Sequence, residues 1–151
     1  MTLAFRHATE ADLGFIVRLI AEDAVVPAGD LPDRPDHPGY RAAFAEIAAD
    51  PNQQLIVATL EDRPVGTLQL TFIPGIAGLG MRRCLVEAVH VDPACRNRGY
   101  GSQLLQYAIA EAQRRNCGVV QLTSNKRRVD AHRFYERLGF VRSHEGFKLR
   151  F

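Results

Sequence analysis

Apolar positions along the chain alternate between two periods, and the changes of period divide it into elements. Residues 3–8 read as a short strand. Thr9 followed by Asp12 has the spacing of a capping box. Leu13, Ile16, Val17, Ile20 and Ala24 then recur at helical spacing and predict a first amphipathic helix. Residues 25–39 hold Pro27, Gly29, Asp30, Pro32, Asp33, Pro35, Asp36 and Pro38, a composition that makes a loop. Tyr40, Phe44 and Ile47 predict a second, shorter helix stopped at Asp50-Pro51. Two strands at 55–60 and 65–73 flank a tight turn at 61–64 and form an antiparallel hairpin. A glycine-rich connection over 74–80 leads to a strand at 83–91, ended by Asp92-Pro93. A helix begins near Gly99, carries Leu104, Leu105, Ala108, Ile109 and Ala112 on one face, and ends at Asn116-Cys117-Gly118. A strand at 119–123, a helix at 127–138 closed by Gly139, and one or two strands within 140–151 complete the pattern. The fold class is therefore α/β, with a mixed, mostly antiparallel central sheet flanked by helices, in one domain over residues 1–151.

Composition narrows the classes without choosing one. The chain has 151 residues, 46% hydrophobic and 24% charged, with a net charge of +2. That charge is too small to argue for nucleic acid or an acidic membrane surface. No apolar run approaches the roughly 20 residues needed to span a bilayer, and Arg6, His7 and Glu10 interrupt any apolar signal core near Met1. The expected location is cytoplasmic. Cys84, Cys95 and Cys117 are odd in number and match no metal-ligand spacing, so no metal is expected and the three read as reduced thiols.

The sharpest chemical feature is Arg96-Asn97-Arg98-Gly99-Tyr100-Gly101, between a strand and a strongly patterned helix. Two glycines allow a tight turn and close approach to a ligand. Free amides at the following helix start, with the helix dipole, favour an anion there, and Arg96 and Arg98 add donors for phosphate oxygens. No Lys-Ser/Thr follows Gly101, which excludes a Walker-type loop. A dinucleotide fingerprint would need three glycines after an early strand.

This segment resembles the coenzyme-binding signature of the GCN5-related N-acetyltransferases, Arg/Gln-x-x-Gly-x-Gly/Ala after a V-x-V-x-P strand end. Val89-His90-Val91-Asp92-Pro93 leads into the turn with that spacing. A second block of the family, an Asn and then A-x-x-F-Y-x-x-x-G-F, is matched by Asn125 and by Ala131 to Phe140. The resemblance covers nearly the whole chain, most loosely at its N-terminal part. It implies direct acetyl transfer from acetyl-CoA to a primary amine. Val89 and Val91 would offer backbone groups to the pantetheine arm. Arg96, Asn97, Arg98, Gly99, Gly101 and Ser102 would hold the pyrophosphate, and Asn125 would bond the pantetheine or the substrate, unless it only caps the last helix.

Two further residues carry weighed roles. Glu87 has the strand parity of Leu85, Val89 and Val91, which sets a carboxylate in an apolar row. Buried there, its pKa would rise toward that of a base working near neutrality, the part an acid plays at this place in relatives. The alternatives are a salt bridge with Arg82 or Arg83, or a bulge that turns Glu87 outward. Tyr135 lies on the stripe Ala131, Phe134, Tyr135 and Leu138, so periodicity makes it a core tyrosine. The resemblance makes it the proton donor to the departing thiolate, for which a phenol of pKa about 10 is suitably protonated. His132 is one step off that stripe, and neither Cys84 nor Cys95 has the setting of a thiolate nucleophile.

The acceptor is read as a small-molecule amine. The run from Ser124 to Tyr135, with Ser143-His144, is similar to a branch that acetylates aminoalkylphosphonates. Asp23, Asp30, Asp33 and Asp36 would favour a cationic amine, if they are not simply solvated turn residues. The competing readings are a protein lysine or N-terminal acetyltransferase and a non-catalytic acyl-CoA sensor. A nucleic-acid binder using Lys126, Arg127, Arg128, Arg133 and Arg137 ranks below both. The sequence leaves a homodimer open.

Overall fold

The computed structural model describes residues 1–151, and its elements follow the sequence periods closely as far as Gly139. β1 (Ala4–His7) leads into a 3-10 turn where the Thr9 amide donates to Asp12 Oδ2 at 2.7 Å. Arg6 donates to both oxygens of the same carboxylate at 2.7 and 2.9 Å, which ties β1 to the start of α1 (Leu13–Asp23). α1 buries Leu13, Ile16, Val17 and Leu19. Ile20 is half-buried and Ala24 lies beyond the last turn, so the inner face is rotated slightly from the predicted one.

α2 (Pro38–Ala49) starts at a proline, whose fixed φ suits the first helical position, and the Gly39 amide donates to His37 Nδ1 at 3.0 Å. β2 (Gln53–Leu60) and β3 (Arg63–Ile73) form the hairpin. Its turn is shorter than the predicted four residues. Glu61 and Asp62 alone reverse the chain, both with positive φ (49° and 62°), the backbone that matches strand twist in two-residue hairpins. Pro64 therefore falls within β3, beside a register shift at Ala58/Thr59 that accommodates its missing N–H.

A single turn α3 (Ala77–Gly80) precedes β4 (Arg82–Val91), α4 (Tyr100–Arg114) and β5 (Cys117–Gln121). β5 begins two residues before the predicted strand, because the chain reverses over Arg115 and Asn116 alone, with Asn116 at φ 57°. The five strands are ordered β1-β2-β3-β4-β5, antiparallel except for the parallel β4–β5 pair. α4 covers one face, packing Leu104, Leu105, Ala108 and Ala112 on β3, β4 and β5, where Leu68, Leu70, Phe72, Cys84 and Val86 are buried. α1 and α2 pack on β4 and β2.

These elements form a first compact unit, Met1–Gln121, and Leu122–Phe151 form a second. The second holds α5 (Val129–Arg137), closed by Gly139 at φ 94°. The final strands expected within 140–151 do not form. Every residue from Val141 to Phe151 is exposed, and none enters a strand ladder. An extended segment becomes a strand only when a neighbour takes up its amides and carbonyls. Alternating side chains such as Phe147, Leu149 and Phe151 supply the pattern and not the partner.

Candidate functional site

β4 outruns β5. Their parallel pairing begins at Arg82↔Cys117 and ends at Leu85↔Gln121, while β4 continues to Val91. On that side the backbone from Val86 to Val91 has no strand partner, so its polar groups, apart from the Val91 carbonyl that accepts from Arg96 Nε, are open to an extended ligand. On the other side the pairing with β3 is interrupted. The register shifts between Thr67 and Gln69, and Ala88 takes φ 50°, a strained value for a residue with a Cβ.

This bulge revises the parity argument for Glu87. Across β3, Glu87 opposes Gln69 and His90 opposes Thr67, so Glu87 and His90 share one sheet face. Val86 opposes Leu70 and Val91 opposes Gly66 on the other face, that of α4. Glu87 is thus not in line with Val91. It is exposed and forms no ion pair with Arg82 or Arg83. The apolar burial that the parity argument expected is absent.

The turn after β4 is built for anion contact. Asp92 Oδ1 accepts from the Ala94 amide at 2.9 Å and starts a 3-10 turn at Pro93–Cys95. Asn97 at φ 60° and Gly99 at φ 76° then alternate with ordinary backbone, a pattern that turns successive amides toward one side. A Cβ at Gly99 would meet nothing within 4 Å, so its positive φ, not crowding, requires glycine. Arg96, Asn97, Arg98 and Gly99 are exposed, Gly101 and Ser102 half-buried. The first amides of the 15-residue α4 open onto this turn with no side-chain cap.

Sequence reasoning missed the polar cluster that supports the turn. Asp23, the last residue of α1, lies 2.7 Å from His90 Nδ1 through one oxygen and 2.5 Å from Arg96 Nη2 through the other. Arg96 Nε also donates to the Val91 carbonyl at 3.3 Å, and Arg18 of α1 reaches Asp92 at 3.0 Å. Asp23 pays for burial with a tendency to rise, outweighed by His90 and Arg96, which together hold its carboxyl below the ordinary value. Arg18 and the Ala94 amide likewise lower Asp92. Asp23 is therefore committed within the fold, and Asp30 accepts from the Tyr40 hydroxyl at 3.0 Å. Asp23, already paired, is not the free anion that the cationic-amine idea required.

In the second unit, Tyr135 lies between Phe134 and Phe140, with ring centroids 5.3 and 6.0 Å away, and burial pushes its hydroxyl pKa up. It is protonated at neutral pH. Asn125 Oδ1 accepts from the Arg127 amide at 3.0 Å, which is the local turn-capping use of that side chain. His132 Nε2 lies 2.9 Å from the Asn125 carbonyl. The three cysteines are free, and burial pushes the Cys84 thiol up to about 11, far from a nucleophilic thiolate.

A cavity of about 310 Å³ lies near the start of β2, lined in part by His7, Phe44, Ile47, Gln53 and Arg115. Gln53 aligns through Thr71 with Leu85, whereas Gly66 aligns with Val91, so the cavity is at the opposite end of the strands from the turn. No helix is long and apolar enough to cross a membrane.

Residues 16–140 match the model of the acetyltransferase (GNAT) family. The chain is 33% identical to the aminoalkylphosphonate N-acetyltransferase of Salmonella typhimurium, over 94% of this chain and 87% of that one. Among solved structures it is similar to a protein described as a transcriptional regulator from Bacillus halodurans C-125, at 43% identity, TM-score 0.94 and 99% coverage of both chains. It shares its fold with the glucosamine-6-phosphate N-acetyltransferase of Arabidopsis thaliana, at 19% identity, TM-score 0.78, and 100% and 99% coverage.

Proposed function

The chain belongs to the acetyltransferase (GNAT) family and is an acetyl-CoA-dependent acetyltransferase, and on that premise we propose that its acceptor is the primary amine of a small molecule. The observation that carries the donor half is the free edge of β4 from Val86 to Val91, running straight into the positive-φ turn and the open amides of α4. An extended pantetheine arm fits the first and a diphosphate the second. In this reading Val89 and Val91 bond the arm through their backbone. Arg96, Asn97, Arg98, Gly99, Gly101 and Ser102 bind the diphosphate, and Asn125 contributes its amide to the arm or the acceptor.

Transfer is direct. The amine nitrogen forms a bond to the thioester carbonyl carbon, the carbon–sulfur bond breaks, and the leaving sulfur takes the Tyr135 hydroxyl proton. The proton lost by the amine passes to Glu87 through water, which suits an exposed carboxylate better than direct contact in a dry site. Amides on the free β4 edge polarise the carbonyl oxygen. Holding both reactants together contributes most of the acceleration.

The small-amine reading rests on the aminoalkylphosphonate N-acetyltransferase relative. A second reading, acyl-CoA sensing without turnover, is favoured by the relative described as a transcriptional regulator. Thiol release from acetyl-CoA across a panel of aminoalkylphosphonates, other small amines and lysine peptides separates the readings. Turnover only with peptides selects the protein acetyltransferase, and tight coenzyme binding with no thiol released selects the sensor. With the productive amine, Tyr135→Phe should lower kcat by about 10²–10⁴-fold. An unchanged kcat removes Tyr135 from the mechanism.

A further inference from the structure

Asp23 is 67 residues from His90 and 73 from Arg96, yet a single carboxylate touches both. Its side chain is 13% exposed and that of His90 11%, so the pair is largely shielded, while Arg96 at 45% still faces solvent on the turn. A carboxylate held in its ionised form accepts hydrogen bonds and donates none. The proton of a neutral His90 must therefore sit on Nδ1, leaving Nε2 as the basic nitrogen. His90 lies on the same face of β4 as Glu87, just past the bulge.

We propose that Asp23 is a positioning residue that connects the phosphate-binding turn to the reacting strand, so that an anion held at Arg96 sets the protonation of His90 beside Glu87. The inference rests on the coenzyme reading of the turn. Without an anion, the negative charge of Asp23 is shared between the Arg96 guanidinium and the imidazole. A diphosphate at the turn takes up the charge of Arg96, and the field of Asp23 then falls more fully on His90. The imidazolium is favoured, so His90 holds its proton to higher pH when the donor is bound. The face of β4 that carries Glu87 thereby gains a cation at the moment the thioester is in place. By linkage, coenzyme binding and proton uptake at His90 strengthen each other equally.

The other charged groups around the pair are Arg18 and Glu22 of α1, Asp92 after β4, and Glu87 on β4 itself. Arg18 is already satisfied by Asp92 at 3.0 Å and Glu22 at 3.4 Å. Glu87, being exposed, is screened by water. Arg96 is the cation bonded to the carboxylate that holds His90, which makes it the group whose neutralisation the imidazole should register.

The test is an NMR titration of the His90 ring, assigned by the signal lost in His90→Gln, in the full-length protein with and without saturating coenzyme A. In the wild type the midpoint should rise by about 0.5–1 pH unit on binding. Asp23→Asn should abolish most of that rise. Arg96→Gln, a change at an exposed residue, should raise the midpoint with no coenzyme present. An unmoved wild-type midpoint, a full rise in Asp23→Asn, or no change in Arg96→Gln overturns the coupling. Failure of coenzyme A to bind, read by calorimetry, instead overturns the functional reading, and the Arg96→Gln titration without coenzyme still decides the coupling.

Discussion

Asp12 shows how much one side chain can organise. It is 6% exposed, accepts from the Thr9 amide, and is bridged by Arg6, whose guanidinium holds the carboxyl below its usual range. A depressed carboxyl stabilises the fold above its unfolded pKa of about 4, and that contribution is lost as pH falls through the lower folded value. Asp12→Asn should therefore cost about 1–3 kcal/mol at pH 7 in chemical denaturation, and the gap from wild type should narrow below about pH 4. A gap that stays constant down to pH 3 counts against the ion pair as its source. The box between Thr9 and Asp12 is readable in sequence because its partners are three residues apart. Asp23 with His90 and Arg96 is not, since only the tertiary fold brings those segments together. The apolar-row placement of Glu87 fails for a different reason, the bulge that had stood only as its alternative. Strand parity assumes an unbroken pleat, and nothing in the letters Glu87-Ala88-Val89 announces positive φ at an alanine.

At the scale of elements, the junction of β3, β4 and α4 leaves the least room. A Cβ at Gly66 would come 3.0 Å from the His90 carbonyl and 3.1 Å from Leu104 Cδ1. Gly66→Ala should destabilise the protein by about 1–3 kcal/mol through overpacking. Because the displaced carbonyl belongs to His90, weaker coenzyme affinity in calorimetry should accompany the loss. Wild-type stability and affinity together in this variant would mean that the junction yields easily. The helices and the hairpin were legible because amphipathic periods and turn residues act locally, and the turn lengths were not. Glu61-Asp62 and Asn116 accept left-handed backbone that a glycine would have advertised. The tail over 140–151 has strand-like alternation, but pairing is decided by neighbours that the alternation does not name.

For the molecule as a whole, the bare stretch of β4 from Val86 to Val91 carries a hazard along with its grip. Unsatisfied amides and carbonyls in a row are a template for any extended chain, including another copy of this protein. Concentrated samples lacking coenzyme should slowly turn turbid, and a stoichiometric addition of coenzyme A should delay the rise in light scattering by occupying the seam. Identical scattering curves with and without it would show that the seam takes no part in clumping. What reads as a docking rail in the working enzyme becomes, on the shelf, the place where one molecule mistakes another for its substrate.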